Sequence, residues 1–315
     1  MKLSQAVEGY VALRSSFGME LVQPRRILRA FQKAVGDIDL CDVSSDAVST
    51  FIRGEGPITA YWHQKYSALN NFYSFAMGRG FIDCSPLPQT IPKAPQPLRP
   101  YIYTQEQLRQ LLTATERLRE TSTRQVSGRV MRMLILLLYG AGLRISEALS
   151  LERKDIDLAM RVLTIRDTKF HKSRLVPIGS RLAAELEAYA DMERGEHRGP
   201  TTNSLFFVRR NGEAIRVLSV DYNFRRLCLI AGVRRSEGGR YHPRLHDLRH
   251  TAAVHRLIAW YRAGNNVERK IELLATYFGH LNLKGIQRYL TMTADLLQEA
   301  SLRFERYAFL TGEPS

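Results

Sequence analysis

The sequence predicts a mainly α-helical protein with one small β-sheet, an α+β fold that is divided into two domains. With 315 residues and 44% apolar content, the chain is long enough to form two separate cores. Six of its twelve prolines fall between Pro86 and Pro100, where neither a helix nor a paired strand can persist. We therefore expect a helical domain over residues 1–90, a linker over residues 91–100 and a larger domain over residues 101–315.

Helical periodicity is the strongest signal in the first domain. Apolar residues recur at spacings of three and four in four segments, around Val7, Ile27, Val48 and Leu69. These segments predict a small four-helix domain. Beyond the linker, Thr104-Gln105-Glu106-Gln107 is typical of a capping box, and the apolar run from Val130 to Tyr139 predicts a buried helix.

The clearest β signal is a hairpin in the second domain. Val162–Ile165 and Arg174–Ile178 are rich in β-branched residues and are separated by a charged loop, residues 167–172. Leu205–Val208 predicts a further strand. From there almost to the C-terminus the pattern is again helical.

Charge favours a polyanionic partner. The 46 Lys and Arg against 31 Asp and Glu give a net charge of +15, of which +3 lies in residues 1–100 and +12 in residues 101–315. Nucleic acid is the obvious candidate, and the second domain is expected to hold most phosphate contacts. A basic protein with a merely solvated surface would have the same net charge. Charge alone therefore does not establish that the partner is nucleic acid.

Other compositional features point to a reducing compartment. The longest apolar stretch, Met133–Tyr139, is too short to span a bilayer, and the N-terminal residues do not read as a secretion signal. The three cysteines lack the spacing of a disulfide framework or a zinc site. We expect a cytoplasmic, nucleoid-associated protein with no membrane partner.

Arg144 and Glu147 form the first candidate for chemistry. They are three residues apart at the start of an amphipathic helix, so they can pair on one helix face. An ordinary salt bridge would explain the pair equally well. Arg144, however, follows the turn Gly140–Leu143, which could hold its guanidinium inward with Glu147 as its support.

His246 and Arg249 form the second candidate, because they are one helical turn apart. The pair is a weak signal by itself, since His171 and Arg174 repeat the same spacing in the hairpin. His250 follows Arg249 and is expected to have a structural or supporting role.

The remaining candidates gain meaning from the chemistry of phosphodiester cleavage. Two arginines can clamp the nonbridging oxygens, a Tyr hydroxyl can attack phosphorus, and Lys or His can protonate the departing 5′ oxygen without a metal. Lys169 and Lys172 in the hairpin loop, His280, and Tyr289 nine residues later supply these groups. Each taken alone could equally be a solvated lysine, a helix cap or a half-buried aromatic.

Four segments together resemble the tyrosine recombinase, or phage integrase-like, family, which includes the Xer and Cre recombinases. They are Gly142–Leu151, Thr168–Pro177, His246–Thr251, and the pair Gly279-His280 with Tyr289. The resemblance implies an N-terminal core-binding domain that binds DNA and a C-terminal catalytic domain. It further implies that Arg144 and Arg249 bind the scissile phosphate, that His246 and His280 support it, and that Glu147 holds Arg144.

The same resemblance implies Lys169 as general acid and Tyr289 as the nucleophile that forms a 3′-phosphotyrosine, with no metal or other cofactor. Phe170 follows Lys169 where the family commonly has Gly, so Lys172 stays an alternative acid. The segment from Trp260 to Glu272 and the sequence after Tyr289 are similar to transposon-borne recombinases. A topoisomerase of type IB and a DNA-binding regulator with an idle integrase fold are the competing interpretations.

The implied partner is double-stranded DNA carrying specific recombination sites, bound by a homotetramer that synapses two sites. A monomeric free protein and partner recombinases are further options, as is docking of the helix expected at residues 296–307 on a neighbouring protomer or on its own domain. Charge and placement suggest six DNA contacts: Tyr61, Lys65, Arg209, Arg210, Arg225 and Arg226.

Overall fold

Two compact units, Met1–Leu98 and Arg99–Ser315, make up the chain, and the division falls within the proline-rich segment. A computed structural model describes residues 1–19, 21–95, 98–118, 126–168, 172–196, 205–209, 211–235, 242–279, 298–299 and 301–302. In this part of the chain, no helix is both long enough and apolar enough to cross a membrane.

The first unit consists of helices α1 (Leu3–Ser16), α2 (Val22–Val35), α3 (Ser45–Arg53) and α4 (Ala60–Gly78). On α4, Leu69, Phe72, Tyr73 and Ala76 recur at spacings of three and four and are buried. The Tyr73 ring meets Phe31 of α2 edge to face. These contacts bury one face of each helix and confirm the helices predicted from periodicity.

The second unit is built around α6 (Gly128–Gly140), which is buried on most sides because apolar residues occupy nearly every position. It packs against α7 (Ile145–Leu149), α8 (Ser180–Glu196), α9 (Val217–Ile230) and α10 (Asp247–Arg262). α5 (Gln105–Ala114) precedes it, and its predicted capping box is present, with the Thr104 hydroxyl accepting from the Gln107 N–H at 3.1 Å. α11 (Val267–Phe278) packs on α10.

The sheet is a three-stranded antiparallel arrangement in the order β1 (Ile156–Asp157), β2 (Val162–Thr168) and β3 (Lys172–Pro177). β2 and β3 form the predicted hairpin, in a register that pairs Ile165 with Arg174. Because side chains alternate along a strand, Arg174 lies on the same inward face as buried Val176.

The prediction of a strand at Leu205–Val208 is wrong. Leu205 and Val208 each form only an isolated bridge, with Glu152 and Ala214 respectively. The adjacent Phe206 and Phe207 are both buried against the ring of Tyr189, at centroid distances of 5.3 and 5.4 Å. Two consecutive side chains that enter one core cannot follow the alternation of a regular strand.

Candidate active site

A tight turn at the end of α6 places Arg144 at the N-cap of α7. Gly142 in this turn has a φ of 64°, and a Cβ there would lie 2.8 Å from Cζ of Phe278. Only glycine combines that backbone conformation with such close packing. The glycine-rich turn before Arg144 therefore also packs against Phe278 at the end of α11.

Glu147 is the centre of the site, and its carboxylate is bound by arginines from two elements. Arg144 donates to Oε1 through Nη1 at 2.6 Å and to Oε2 through its backbone N–H at 2.9 Å. Arg174 donates to Oε1 and Oε2 through Nη1 and Nη2, at 3.0 and 2.8 Å. Nη1 of Arg249 lies 3.9 Å from Oε2. One carboxylate thus gathers three guanidinium groups.

The pKa of Glu147 reflects this arrangement. Burial by itself raises the pKa of a carboxyl group, and the Glu147 side chain is only 6% exposed. The hydrogen bonds from Arg174 and from the Arg144 backbone, together with the charges of both arginines, outweigh burial and lower the pKa to about 2. Glu147 is therefore ionised throughout the physiological range.

The C-terminal end of α11 also contacts the cluster. The last carbonyl groups of a helix have no partner within it and carry partial negative charge. Here Tyr277 O accepts from Nε of Arg174 at 3.2 Å, and Gly279 O accepts from Nη2 of Arg144 at 3.2 Å. Phe278 O, between them, accepts from Nη2 of Arg249.

The two arginines predicted to bind phosphate differ in exposure. One third of the Arg144 side chain is exposed, whereas Arg249 is 1% exposed and donates to the carbonyls of Gly142 and Phe278. The Arg249 guanidinium also lies over the Phe278 ring, 4.8 Å from its centroid. The structure brings both arginines to Glu147 but presents Arg144 to solvent and covers Arg249.

His246 is the N-cap residue of α10, and it is exposed at the edge of the same region. Partial burial and the nearby positive charge of Arg249 lower the pKa of its imidazole, which favours the neutral ring at neutral pH. His250, one turn later, is buried, and its ring meets that of His246 edge to face at 4.8 Å. The supporting role of His250 stays a prediction.

Some predicted residues lie outside the described part of the chain: Lys169, His280, Tyr289 and Arg210. Lys172 begins β3, but the described residues do not include its side chain. Most of the helix expected at residues 296–307 is also outside; Glu299 in it pairs with Arg262 of α10 at 2.7 Å. Among the described residues, no cluster of His, Cys, Asp or Glu is arranged to hold a metal ion.

Two of the suggested DNA contacts, Lys65 and Arg209, have partners within the protein. Lys65 donates to the carbonyl of Phe51 at 2.7 Å and lies over its ring, and burial lowers the pKa of its ammonium group. Arg209 has a side chain only 10% exposed and pairs with Glu213. Tyr61 and Arg225 are exposed, and Arg226 is half-buried.

Arg174 is the residue of this cluster to which the sequence analysis gave no role. It lies within the matching segment Thr168–Pro177, where only its spacing from His171 had been noted. The available signal was alternation: an arginine on the inward face of a strand, two residues before buried Val176, requires an anionic partner.

Comparison with known proteins decides the family. The phage integrase family matches residues 102–295, which covers most of the second unit. The chain belongs to the phage integrase family. An integrase/recombinase of Sinorhizobium fredii is 31% identical over 304 residues, 96% of each chain. Tyrosine recombinase XerA of Thermococcus kodakarensis is 32% identical over 222 residues, 70% of this chain and 68% of XerA.

Solved structures agree with this membership at the level of the fold. The Tn1549 transposon integrase in complex with transposon right end DNA has a TM-score of 0.70 at 17% identity, and the similarity covers 98% of this chain and 100% of that one. XerH bound to its difH substrate in a post-cleavage complex has a TM-score of 0.62 at 21% identity, covering 90% of this chain and 78% of that one. The family match and the similarity to XerA, rather than these structures, identify the chain as a tyrosine site-specific recombinase.

We predict that replacing Glu147 with Gln lowers stability in a pH-dependent way. The folded-state pKa of about 2 lies below the ordinary value of 4.5. The stabilisation is therefore present above pH 4.5 and is lost as the pH falls towards 2, and it amounts to roughly 3 kcal/mol. Urea unfolding of wild type and Glu147→Gln from pH 7 to pH 2 should show a difference that shrinks below pH 5. A difference independent of pH would contradict the charge-based account.

Proposed function

We propose that the cluster around Glu147 binds the scissile phosphate of DNA and that Tyr289 attacks it. The observation that carries this proposal is the convergence of three guanidinium groups on one carboxylate. The same guanidinium groups also bind the carbonyl groups of residues 277–279, which directly precede His280 in the chain. Three positive charges face one carboxylate and the partial charge of a helix C-terminus, which leaves a surplus of roughly 1.5 positive charges. A phosphodiester, and still more its pentacoordinate transition state, fits such a surplus.

In this proposal each group has one task. Arg144, exposed at the edge of the cluster, contacts a nonbridging oxygen first. Arg249 contacts the phosphate once the hydrogen bond from its Nη2 to the Phe278 carbonyl is broken. His246, neutral at physiological pH, donates a hydrogen bond to the phosphate together with His280, and His250 supports the His246 ring.

The covalent step is a transesterification. The Tyr289 oxygen forms a bond to phosphorus and its proton leaves to a basic group, while the bond from phosphorus to the 5′ oxygen breaks and Lys169 protonates that oxygen. The 3′-phosphotyrosine conserves the ester bond, so attack by a 5′ hydroxyl reseals the strand without ATP. Lys172, at the start of β3, is the alternative acid.

An exposed basic ridge on α2 supplies a DNA surface in the first unit that the charge count alone did not locate. Arg25, Arg29 and Lys33 are spaced four residues apart and exposed, with Arg26 beside them, whereas Ile27, Leu28 and Phe31 are buried on the opposite face. None of the ion pairs found among the described residues involves these four cations. We assign the unit Met1–Leu98 as the core-binding domain on this basis, with Tyr61, Arg225 and Arg226 as further contacts.

The assembly and the biological role are proposed from relatives. Lambda integrase, solved as a tetramer bound to a Holliday junction, matches this chain with a TM-score of 0.63 at 16% identity. We propose a homotetramer on two synapsed sites, formed from free monomers or with partner recombinases, in the cytoplasm at the nucleoid. The similarity to a transposon integrase supports action on a mobile element.

Tyr289→Phe should abolish covalent attachment to DNA, because no other group is assigned as the nucleophile. Fragments of the DNA that flanks the reading frame are incubated with protein, trapped with SDS and sequenced at the protein-linked ends. Wild type and Tyr222→Phe, which alters an exposed tyrosine of α9, should both form the adduct. An adduct with Tyr289→Phe would show that the nucleophile is another residue, and no adduct with wild type would reject the proposed function.

Lys169→Ala should lose cleavage of a normal strand and regain it with a 5′-thiolate leaving group, since a thiolate departs without protonation. The substrate is a nicked duplex that carries the mapped site with a bridging sulfur. Lys172→Ala is the matched control and should cleave both substrates alike. Rescue of Lys172→Ala and not of Lys169→Ala would exchange their roles.

We predict that the α2 ridge contributes to the salt dependence of DNA binding. Replacing Arg25, Arg29 and Lys33 with Gln should weaken binding to a fluorescent duplex of arbitrary sequence and should flatten the plot of log affinity against log salt by roughly 0.9 per lost phosphate contact. Lys2→Gln, which removes a cation that already faces Asp39, is the control and should leave the slope unchanged. An unchanged slope in the triple variant would remove α2 from the DNA surface.

A further inference from the structure

We infer that Arg174 is a positioning residue for strand cleavage, which fixes Arg144 through Glu147 and ties the hairpin to the end of α11. This inference rests on the proposed function. It assigns to β3 a task beyond carrying the loop that holds Lys169.

The contacts of Arg174 show that its guanidinium points inward. Nη1 and Nη2 bind the two oxygens of Glu147 side by side, and Nε binds the carbonyl of Tyr277. Its side chain is 11% exposed, compared with 33% for Arg144. Arg174 is therefore placed to hold other groups, and Arg144 is placed to meet the phosphate.

Glu147 transmits this restraint because both arginines share its oxygens. Oε1 accepts from Nη1 of Arg144 at 2.6 Å and from Nη1 of Arg174 at 3.0 Å. The planar fork of Arg174 fixes the plane of the carboxylate, and that plane sets the direction in which Arg144 is held. Lysine retains the charge but cannot bind both oxygens in this geometry.

A second observation, independent of these hydrogen bonds, places Arg174 against the chain that leads to His280. A Cβ at Gly279 would lie 2.8 Å from Nη1 of Arg174 and 3.0 Å from its Cζ, and Gly279 has a φ of 62°. The backbone at the end of α11 thus packs directly on this guanidinium. Arg174 joins three segments that carry proposed catalytic groups: α7 with Arg144, the hairpin, and the residues before His280.

The test compares two arginines that make similar pairs. Arg174→Lys should lower the single-turnover rate of cleavage about 10- to 100-fold, because displacement of a reacting group by about 1 Å costs on that order. The DNA concentration for half saturation should change less than about twofold, since the phosphate-facing Arg144 and the α2 ridge are unchanged. Arg132→Lys alters the two-point pair of Arg132 with Glu185, on α6 and α8, and should cleave like wild type.

The substrate is the nicked duplex that carries the site mapped with the wild-type adduct, and thermal unfolding is followed for every variant. If Arg174 had a purely structural role, the variant would have a lower melting temperature and fewer folded molecules. The molecules that do fold would then cleave at the wild-type rate. In a Glu147→Gln background, a further Arg174→Gln change should slow cleavage less than about twofold, because the route through Glu147 is already lost. Comparing Glu147→Gln with the Glu147→Gln, Arg174→Gln double variant also tests the inference if Arg174→Lys does not fold.

Cleavage by Arg174→Lys within about twofold of wild type would overturn the inference, as would a further tenfold loss from Arg174→Gln in the Glu147→Gln background. Either result leaves the proposed function intact, because wild type is measured on the same substrate. Only failure of the wild-type protein to form an adduct would reject the function itself.

Discussion

The buried carboxylate of Glu147 is the constraint on which the site depends. An ionised group in a protein interior is strongly destabilising unless opposite charges and hydrogen bonds replace its water. Glu147 satisfies this requirement with Arg144 from its own helix, Arg174 from β3 and the nearby Arg249 from α10. The guanidinium groups in turn need the carboxylate, because their mutual repulsion would otherwise oppose their convergence. The cluster therefore forms only when these elements have packed together, which couples site assembly to folding of the second unit.

Main-chain carbonyl groups supply further hydrogen-bond acceptors for the three arginines. α11 ends with its last carbonyls directed at the three arginines, so the partial negative charge of a helix C-terminus is placed where positive charge is in excess. Two glycines permit this approach: Gly142 leaves room for the Phe278 ring, and Gly279 leaves room for the Arg174 guanidinium. The path of the chain immediately before His280 is consequently fixed by the same groups that are proposed to bind DNA. Binding of a DNA phosphate to the arginines is thereby linked to the position of residues 277–279.

Formal charge is a poor guide to which cations are available to a partner. Lys65 and Arg209 contribute to the net charge, yet their head groups are bound to Phe51 and Glu213. The basic ridge of α2 lies in the unit with the smaller charge excess, and it is exposed because the opposite face of the helix is occupied by Ile27, Leu28 and Phe31. Burial of an apolar face thus determines where the opposite, charged face points. The surface presented to DNA follows from core packing as much as from composition.

The sequence by itself determined those features that local spacing controls. Helical periodicity located the helices of both units, β-branched residues flanking a charged loop located the hairpin, and the three-residue spacing of Arg144 and Glu147 predicted their pairing. The order of the four motifs was sufficient to indicate the family. Tertiary structure decided what depends on distant elements: the role of Arg174, the covering of Arg249, and the carbonyls of α11, which lie more than 100 residues from Arg144 and Arg174 in the chain. It also decided that Phe206 and Phe207 enter one core and break a strand. Such contacts arise from the packing of whole elements, and no spacing within a short segment encodes which elements will meet.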